Sequence, residues 1–221
     1  MDILLVRHGE STGNVSGRLQ GFADEPLTDI GRAQAARVGA WLKAGGLRWS
    51  AAYASPLSRA TETATIIAQT SGYPAPIIDD DLKEVGVGKL ERMTREEIFS
   101  QYPSFRERGV TGLGDFSEYG GESYATVQAR VGSFLGRVTE RHRASADVIL
   151  VVAHGGMNFQ LTKAAICEPV PRVCILQWGN CTTTLLRFRD RRGAYMAEVA
   201  FHVPVEFMGG PSGAGSTGAF R

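Results

Sequence analysis

Two apolar runs in this chain stop in the same way. Ile3-Leu4-Leu5-Val6 ends at Arg7-His8-Gly9, and Val148-Ile149-Leu150-Val151-Val152-Ala153 ends at His154-Gly155-Gly156. Short aliphatic runs closed by a glycine turn read as buried strands. In open α/β sheets, ligands sit just outside the carboxyl ends of the strands. Two strands that each deliver a histidine to a glycine turn therefore point to one site assembled from both. An arginine beside the first histidine adds a charged fork for an anion, next to an imidazole that can serve as nucleophile or base.

The rest of the chain supplies the helices such a sheet needs. Thr28 caps a helix over 29–44, with Ala33, Ala36, Val38, Ala40, Trp41 and Leu42 as apolar positions and Gly45-Gly46 as its stop. A short strand over 51–54 turns at Ser55-Pro56 into a helix over 57–70, whose inner face is Ala60, Ala64, Ile67 and Ala68. Ile77-Ile78 reads as a weak strand. Thr94-Arg95-Glu96-Glu97 is a capping-box signature for a short helix ending before Pro103. The clearest helix runs over 122–142, where Tyr124, Val127, Val131, Phe134, Leu135 and Val138 recur at intervals of three and four. Another follows over 157–166. Residues 182–188 and 195–201 alternate like an antiparallel pair joined by a charged turn over 189–193. Strands alternating with helices argue for a three-layer α/β domain with a largely parallel sheet, made mixed by the closing hairpin. The domain is expected over 1–208, followed by a flexible Gly/Ser-rich tail over 209–221.

Charge narrows the partners. Lys plus Arg number 24 against 23 Asp plus Glu, so no global field favours nucleic acid or an anionic membrane. Anion recognition must then come from local arginine placement. Arg59 meets that need: it lies in the first turn of the helix after Ser55-Pro56, where guanidinium donors and free backbone N–H groups together make a phosphate cradle. Glu84 adds a carboxylate in the glycine-flanked segment Leu82-Lys83-Glu84-Val85-Gly86-Val87-Gly88. Cys167, Cys174 and Cys181 lack metal-ligand spacing and read as buried or partly buried thiols of a reducing compartment; no metal or other cofactor is expected. The first residues show no signal-peptide pattern, which sets the expectation of a soluble cytoplasmic protein. Gly121-Glu122-Ser123-Tyr124-Ala125 matches only half of a serine-hydrolase elbow, and no Walker or GxGxxG motif is present. His142 and His202 read as structural.

Leu5-Val6-Arg7-His8-Gly9-Glu10-Ser11 with Asn14 resembles the histidine phosphatase superfamily, in the branch of the cofactor-dependent phosphoglycerate mutases. Gln20-Gly21, Leu27-Thr28, Gly31, Ser55-Pro56-Leu57-Ser58-Arg59-Ala60, Glu84, Gly121-Glu122-Ser123 and His154-Gly155 follow in the matching order. The resemblance implies a phosphoglycerate mutase-like three-layer α/β/α sandwich. It also implies roles. His8 would attack phosphorus and become a phosphohistidine. Arg7, Arg59 and His154 would clamp the equatorial oxygens, and Asn14 would donate a further hydrogen bond. Glu84 would act as general acid and then general base, with Glu91 as the rival. Gln20, Gly21 and Gly155 join the phosphate- and substrate-binding set. The attacking histidine must be neutral, with a backbone carbonyl fixing its tautomer, whereas His154 is more useful charged.

The pattern also departs from the family. Where the family often has Gly-x-Trp-Glu-Gly, this chain has Gly88-Lys89-Leu90-Glu91-Arg92. Gly13 stands where mutases usually carry a tryptophan, and Arg106-Glu107-Arg108 alternates where they carry adjacent arginines. The last two departures favour a metal-independent phosphomonoesterase acting on a small phosphorylated metabolite, while the first bears on the loop around Glu84. A phosphoglycerate-type mutase and a non-catalytic phospholigand-binding module stay open beside it, and so does a homodimer. The segment 92–120 is expected to lid the pocket, with Phe105, Arg106, Arg108, Phe116 and Tyr119 as candidate contacts.

Overall fold

The computed structural model describes residues 1–107, 115–142, 148–166, 177–191 and 194–208. Six strands form one mixed sheet: β1 (Asp2–Arg7), β2 (Ala51–Ala54), β3 (Ile77–Ile78), β4 (Val148–Ala153), β5 (Thr183–Arg191) and β6 (Ala194–Val203). Their order is β3-β2-β4-β1-β5-β6. The first four in that order run parallel, while β5 is antiparallel to β1 and β6 to β5. The helices are α1 (Thr12–Val15), α2 (Asp29–Ala44), α3 (Ser58–Ser71), α4 (Arg95–Gln101), α5 (Pro103–Glu107), α6 (Tyr124–His142) and α7 (Gly155–Ile166).

The pleat of β1 divides the core into two layers. Ile3 and Leu5 pack with Val127, Val131, Phe134 and Val138 of α6 and with Met157 and Leu161 of α7. Leu4 and Val6 face the other way, onto Ala35, Val38 and Leu42 of α2 and Ala60, Ala64 and Ile67 of α3. The sheet is thus covered on both faces, giving the three-layer α/β/α sandwich. The capping signals hold: the Thr28 side chain accepts from Gly31 N–H, and Thr94 with Glu97 forms a reciprocal box at the start of α4.

Three local expectations change. Ala33 is exposed, and the inner face of α2 is Gly31, Ala35, Val38, Gly39 and Leu42. Close helix approach decides this face rather than hydrophobicity, since a Cβ on Gly39 would lie 3.0 Å from the Ile67 carbonyl oxygen of α3. The charged turn over 189–193 is mostly strand, with Arg191 paired to Ala194. Charge does not end that strand because Arg187 and Arg189 reach Asp2 on β1, at 3.8 and 3.0 Å. Within 92–120, residues Pro103–Glu107 are helical, and Ser117–Tyr119 form a 3-10 turn. Cys181 is buried, as expected, while Cys167, Cys174 and the tail over 209–221 lie outside the described residues. Among the described residues no helix is long and apolar enough to cross a membrane.

Candidate active site

Register builds the site. β1 and β4 lie side by side with Arg7 opposite Ala153, so the two histidine turns leave the sheet abreast. His8 N–H donates to the Ala153 carbonyl at 2.9 Å, and the two imidazole rings stand 5.2 Å apart. His8 is buried, and its Nδ1 lies 2.7 Å from the Gly9 carbonyl oxygen. A carbonyl only accepts, so Nδ1 carries the proton and the Nε2 lone pair is free. Burial pushes the His8 pKa well below the ordinary imidazole value, and the charges of Arg7 and Arg59 push it further. The sequence-based expectation of a neutral His8 with a carbonyl-set tautomer holds.

His154 differs from its expectation. It is fully buried, and desolvation, then Arg59, His8 and Arg7, drive its pKa well down, so it is neutral rather than charged. Its Nε2 lies 2.8 Å from Ser55 Oγ, which in turn accepts the Leu57 N–H at 3.3 Å. Arg59 is wholly buried at the start of α3 and donates to the Ala23 and Gly21 carbonyls at 2.8 and 3.0 Å. Arg7 donates to the Trp178 carbonyl and packs beside Gly155, where a Cβ would lie 3.6 Å from its Nε. Arg7 Nε, Arg59 Nε and His154 Nδ1 are all buried without a protein partner among the described residues. Each unpaired buried polar group costs about 1–3 kcal/mol. A cluster of them around one imidazole fits a guest rich in acceptor oxygens.

Asn14 completes the rim. Its Oδ1 accepts from Ser11 N–H at 3.1 Å and Asn180 Nδ2 at 3.0 Å, with Ser11 Oγ at 2.9 Å. The carboxamide is thereby oriented so that its Nδ2 is the group left to donate. Gln20 Oε1 lies 2.9 Å from the same Ser11 Oγ, and the Gln20 side chain fills the space a Cβ on Gly13 would need. Gly21 adopts a positive φ of 52° and gives its carbonyl to Arg59. Glu84 sits at the start of α7: its carboxylate accepts from Met157 and Gly156 N–H at 3.0 and 3.2 Å, and from its neighbour Val85 at 2.9 Å. Glu91, the rival acid, instead accepts the Phe22 N–H at 2.9 Å. Arg92, standing at the glycine position of the family pattern, has a φ of 61° and pairs with Glu25 at 3.2 Å.

Two lid contacts are corrected. Phe116 and Tyr119 are core side chains: both are buried with their rings against Phe105, in the same apolar cluster as Val87 and Leu90, and Phe116 N–H donates to the Glu122 carbonyl at 2.7 Å. Arg106 rests over the Phe99 ring, and Arg108 lies outside the described residues. His142 and His202 are structural, bonded to Tyr53 and to Thr184 and the Gln177 carbonyl. Sequence reasoning missed Ser55 and Asn180 as individual contributors. Ser55 lay inside a quoted motif, whereas no local pattern singles out Asn180. Among the described residues no cluster of three or more His, Cys, Asp or Glu is placed to hold a metal ion.

Comparison with known proteins agrees with this geometry. The model of the histidine phosphatase superfamily (branch 1) matches residues 3–198. A metal-independent phosphoserine phosphatase of Arabidopsis thaliana is 34% identical over 157 residues, covering 71% of this chain and 65% of that protein. A probable phosphoglycerate mutase GpmB of Salmonella paratyphi A is 34% identical over 190 residues, 86% of each chain. Among solved structures, YhfR of Bacillus stearothermophilus superposes with a TM-score of 0.77 at 30% identity, covering 92% of this chain and 98% of that one. A mycobacterial glucosyl-3-phosphoglycerate phosphatase complexed with VO3 gives 0.75 at 26% identity, covering 90% and 96%.

Proposed function

This chain belongs to the histidine phosphatase superfamily, branch 1, and we propose that it is a metal-independent phosphomonoesterase of small phosphorylated metabolites. In the first step His8 Nε2 attacks phosphorus. The N–P bond forms as the P–O bond to the leaving group breaks, and the Glu84 carboxyl gives its proton to the departing oxygen. In the second step the Glu84 carboxylate takes a proton from water as that oxygen attacks phosphorus. The N–P bond breaks, its electron pair returns to His8, and phosphate leaves. Arg7 and Arg59 balance the charge on the transferring group, with His154 Nδ1 and Asn14 Nδ2 as neutral donors.

One observation carries this reading: an imidazole with its Nδ1 tied to a carbonyl and its Nε2 free, set abreast of His154 and beside buried arginine donors that lack partners. The test is transfer of label from a ³²P-phosphate ester. Alkali-stable, acid-labile label that disappears in His8→Ala is expected. Label on another residue, or turnover that survives His8→Ala, overturns the mechanism.

The likeness to a probable phosphoglycerate mutase keeps a second reading in play. A mutase returns the phosphoryl group to another oxygen of its substrate before water reaches it. With a phosphoglycerate substrate, phosphate release without positional transfer removes that reading.

A further inference from the structure

Glu84 is held at both ends, and only one end belongs to the site described above. Its carboxylate is met by the first N–H groups of α7. Its backbone is gripped from the opposite side by Arg130, a residue of α6. Arg130 Nη1 donates to the Asp81 and Lys83 carbonyls at 2.7 and 3.1 Å, and Nη2 donates to the Glu84 carbonyl at 3.2 Å. The same guanidinium forms a two-pronged pair with Glu122, through Nε at 2.8 Å and Nη2 at 2.7 Å. Glu122 then grips the next turn of the loop: its carboxylate accepts the Gly86 N–H at 2.8 Å, and its own N–H donates to the Gly86 carbonyl at 2.8 Å. Both side chains are mostly buried, at 15% and 12% exposure, so the pair is shielded from the solvent screening that weakens surface ion pairs.

We infer that Arg130, keyed by Glu122, is a positioning residue that sets the reach of the Glu84 carboxyl toward the leaving-group oxygen. Its planar fork satisfies three carbonyls of one irregular loop and a carboxylate together, which fixes the Glu84 backbone. A loop of this kind has no regular ladder of its own to hold it. The site needs that constraint because proton transfer works only within hydrogen-bond reach, and a misplacement of about 1 Å costs up to about 100-fold.

The inference rests on the phosphohistidine reading, and the test separates the two. The rate of His8 labelling is measured by rapid quench, with an n-alkyl phosphate and with p-nitrophenyl phosphate. The alkyl leaving group needs a proton to depart; p-nitrophenolate does not. In Arg130→Gln the alkyl rate is expected to fall roughly 10- to 100-fold, with the aryl rate within about 3-fold of the unaltered protein by the same argument. Glu122→Gln is expected to show the same asymmetry more weakly. If Arg130→Gln does not fold, Arg130→Lys, which keeps the charge without the fork, is expected to give the same selective loss. Equal losses on both esters, or none on either, overturn the role of Arg130 alone. A chain that never labels at His8 overturns the phosphohistidine reading and this role with it.

Discussion

At the scale of the residue, His8 stays neutral because burial, Arg7 and Arg59 all oppose its protonation. The sign for catalysis follows. A nucleophile whose pKa lies well below the ordinary imidazole value keeps its lone pair into mildly acidic solution, so the acid limb of kcat/KM should fall below that value. Arg59→Gln removes one of the opposing charges, so the limb should move to higher pH while activity drops. A pH profile taken with an aryl phosphate checks this, and an unmoved limb contradicts it. Asn180 invites a second test at this scale. Its Nδ2 holds both the His8 carbonyl and Asn14 Oδ1, so Asn180→Leu should loosen the Asn14 carboxamide, leaving only Ser11 to hold its Oδ1. Loss of about 1 kcal/mol of directed hydrogen bonding corresponds to a fall of roughly 5-fold in kcat/KM.

At the scale of the element, α2 works as the backing of the catalytic turn. A Cβ on Gly31 would lie 2.1 Å from the Glu10 carbonyl oxygen, and one on Gly9 would lie 2.4 Å from the Gly31 carbonyl oxygen. Backbone meets backbone here, and neither side can yield as a flexible side chain would. Gly31→Ala should therefore destabilise by about 1–3 kcal/mol or more, and should displace the turn that carries His8. Gly39→Ala, on the same helix but facing α3, should lower the melting temperature comparably while sparing kcat/KM. Measuring both quantities for both variants separates the two effects. A sequence shows such glycines as gaps in an apolar stripe, which is why Ala33 is mistaken for an inner position and Gly39 overlooked.

At the scale of the whole molecule, two buried neutral histidines tie stability to pH. The unfolded chain takes up protons near pH 6.5, as an ordinary imidazole does, whereas folded His8 and His154 resist them until well below it. Their contribution to stability is therefore complete above that value and is lost as pH falls toward the folded values, with a limiting slope of about 1.4 kcal/mol per pH unit per histidine. Urea unfolding between pH 7 and pH 5 should show the decline, and His154→Gln should remove about half of the part due to this pair. The order and type of the longer elements, the caps at Thr28 and Thr94, and the placing of His8 and His154 at strand ends were legible in the chain itself, whereas the short helices Thr12–Val15 and Pro103–Glu107 were not. Periodicity and capping are written within a turn or two of backbone, so neighbours suffice to reveal them. Only the folded arrangement decided that β1 lies against β4 with Arg7 level with Ala153, that His154 is neutral, and that Asn180 and Arg130 serve the site. Register and desolvation are sums over contacts between segments from about fifty to more than a hundred residues apart, and no local pattern carries that sum.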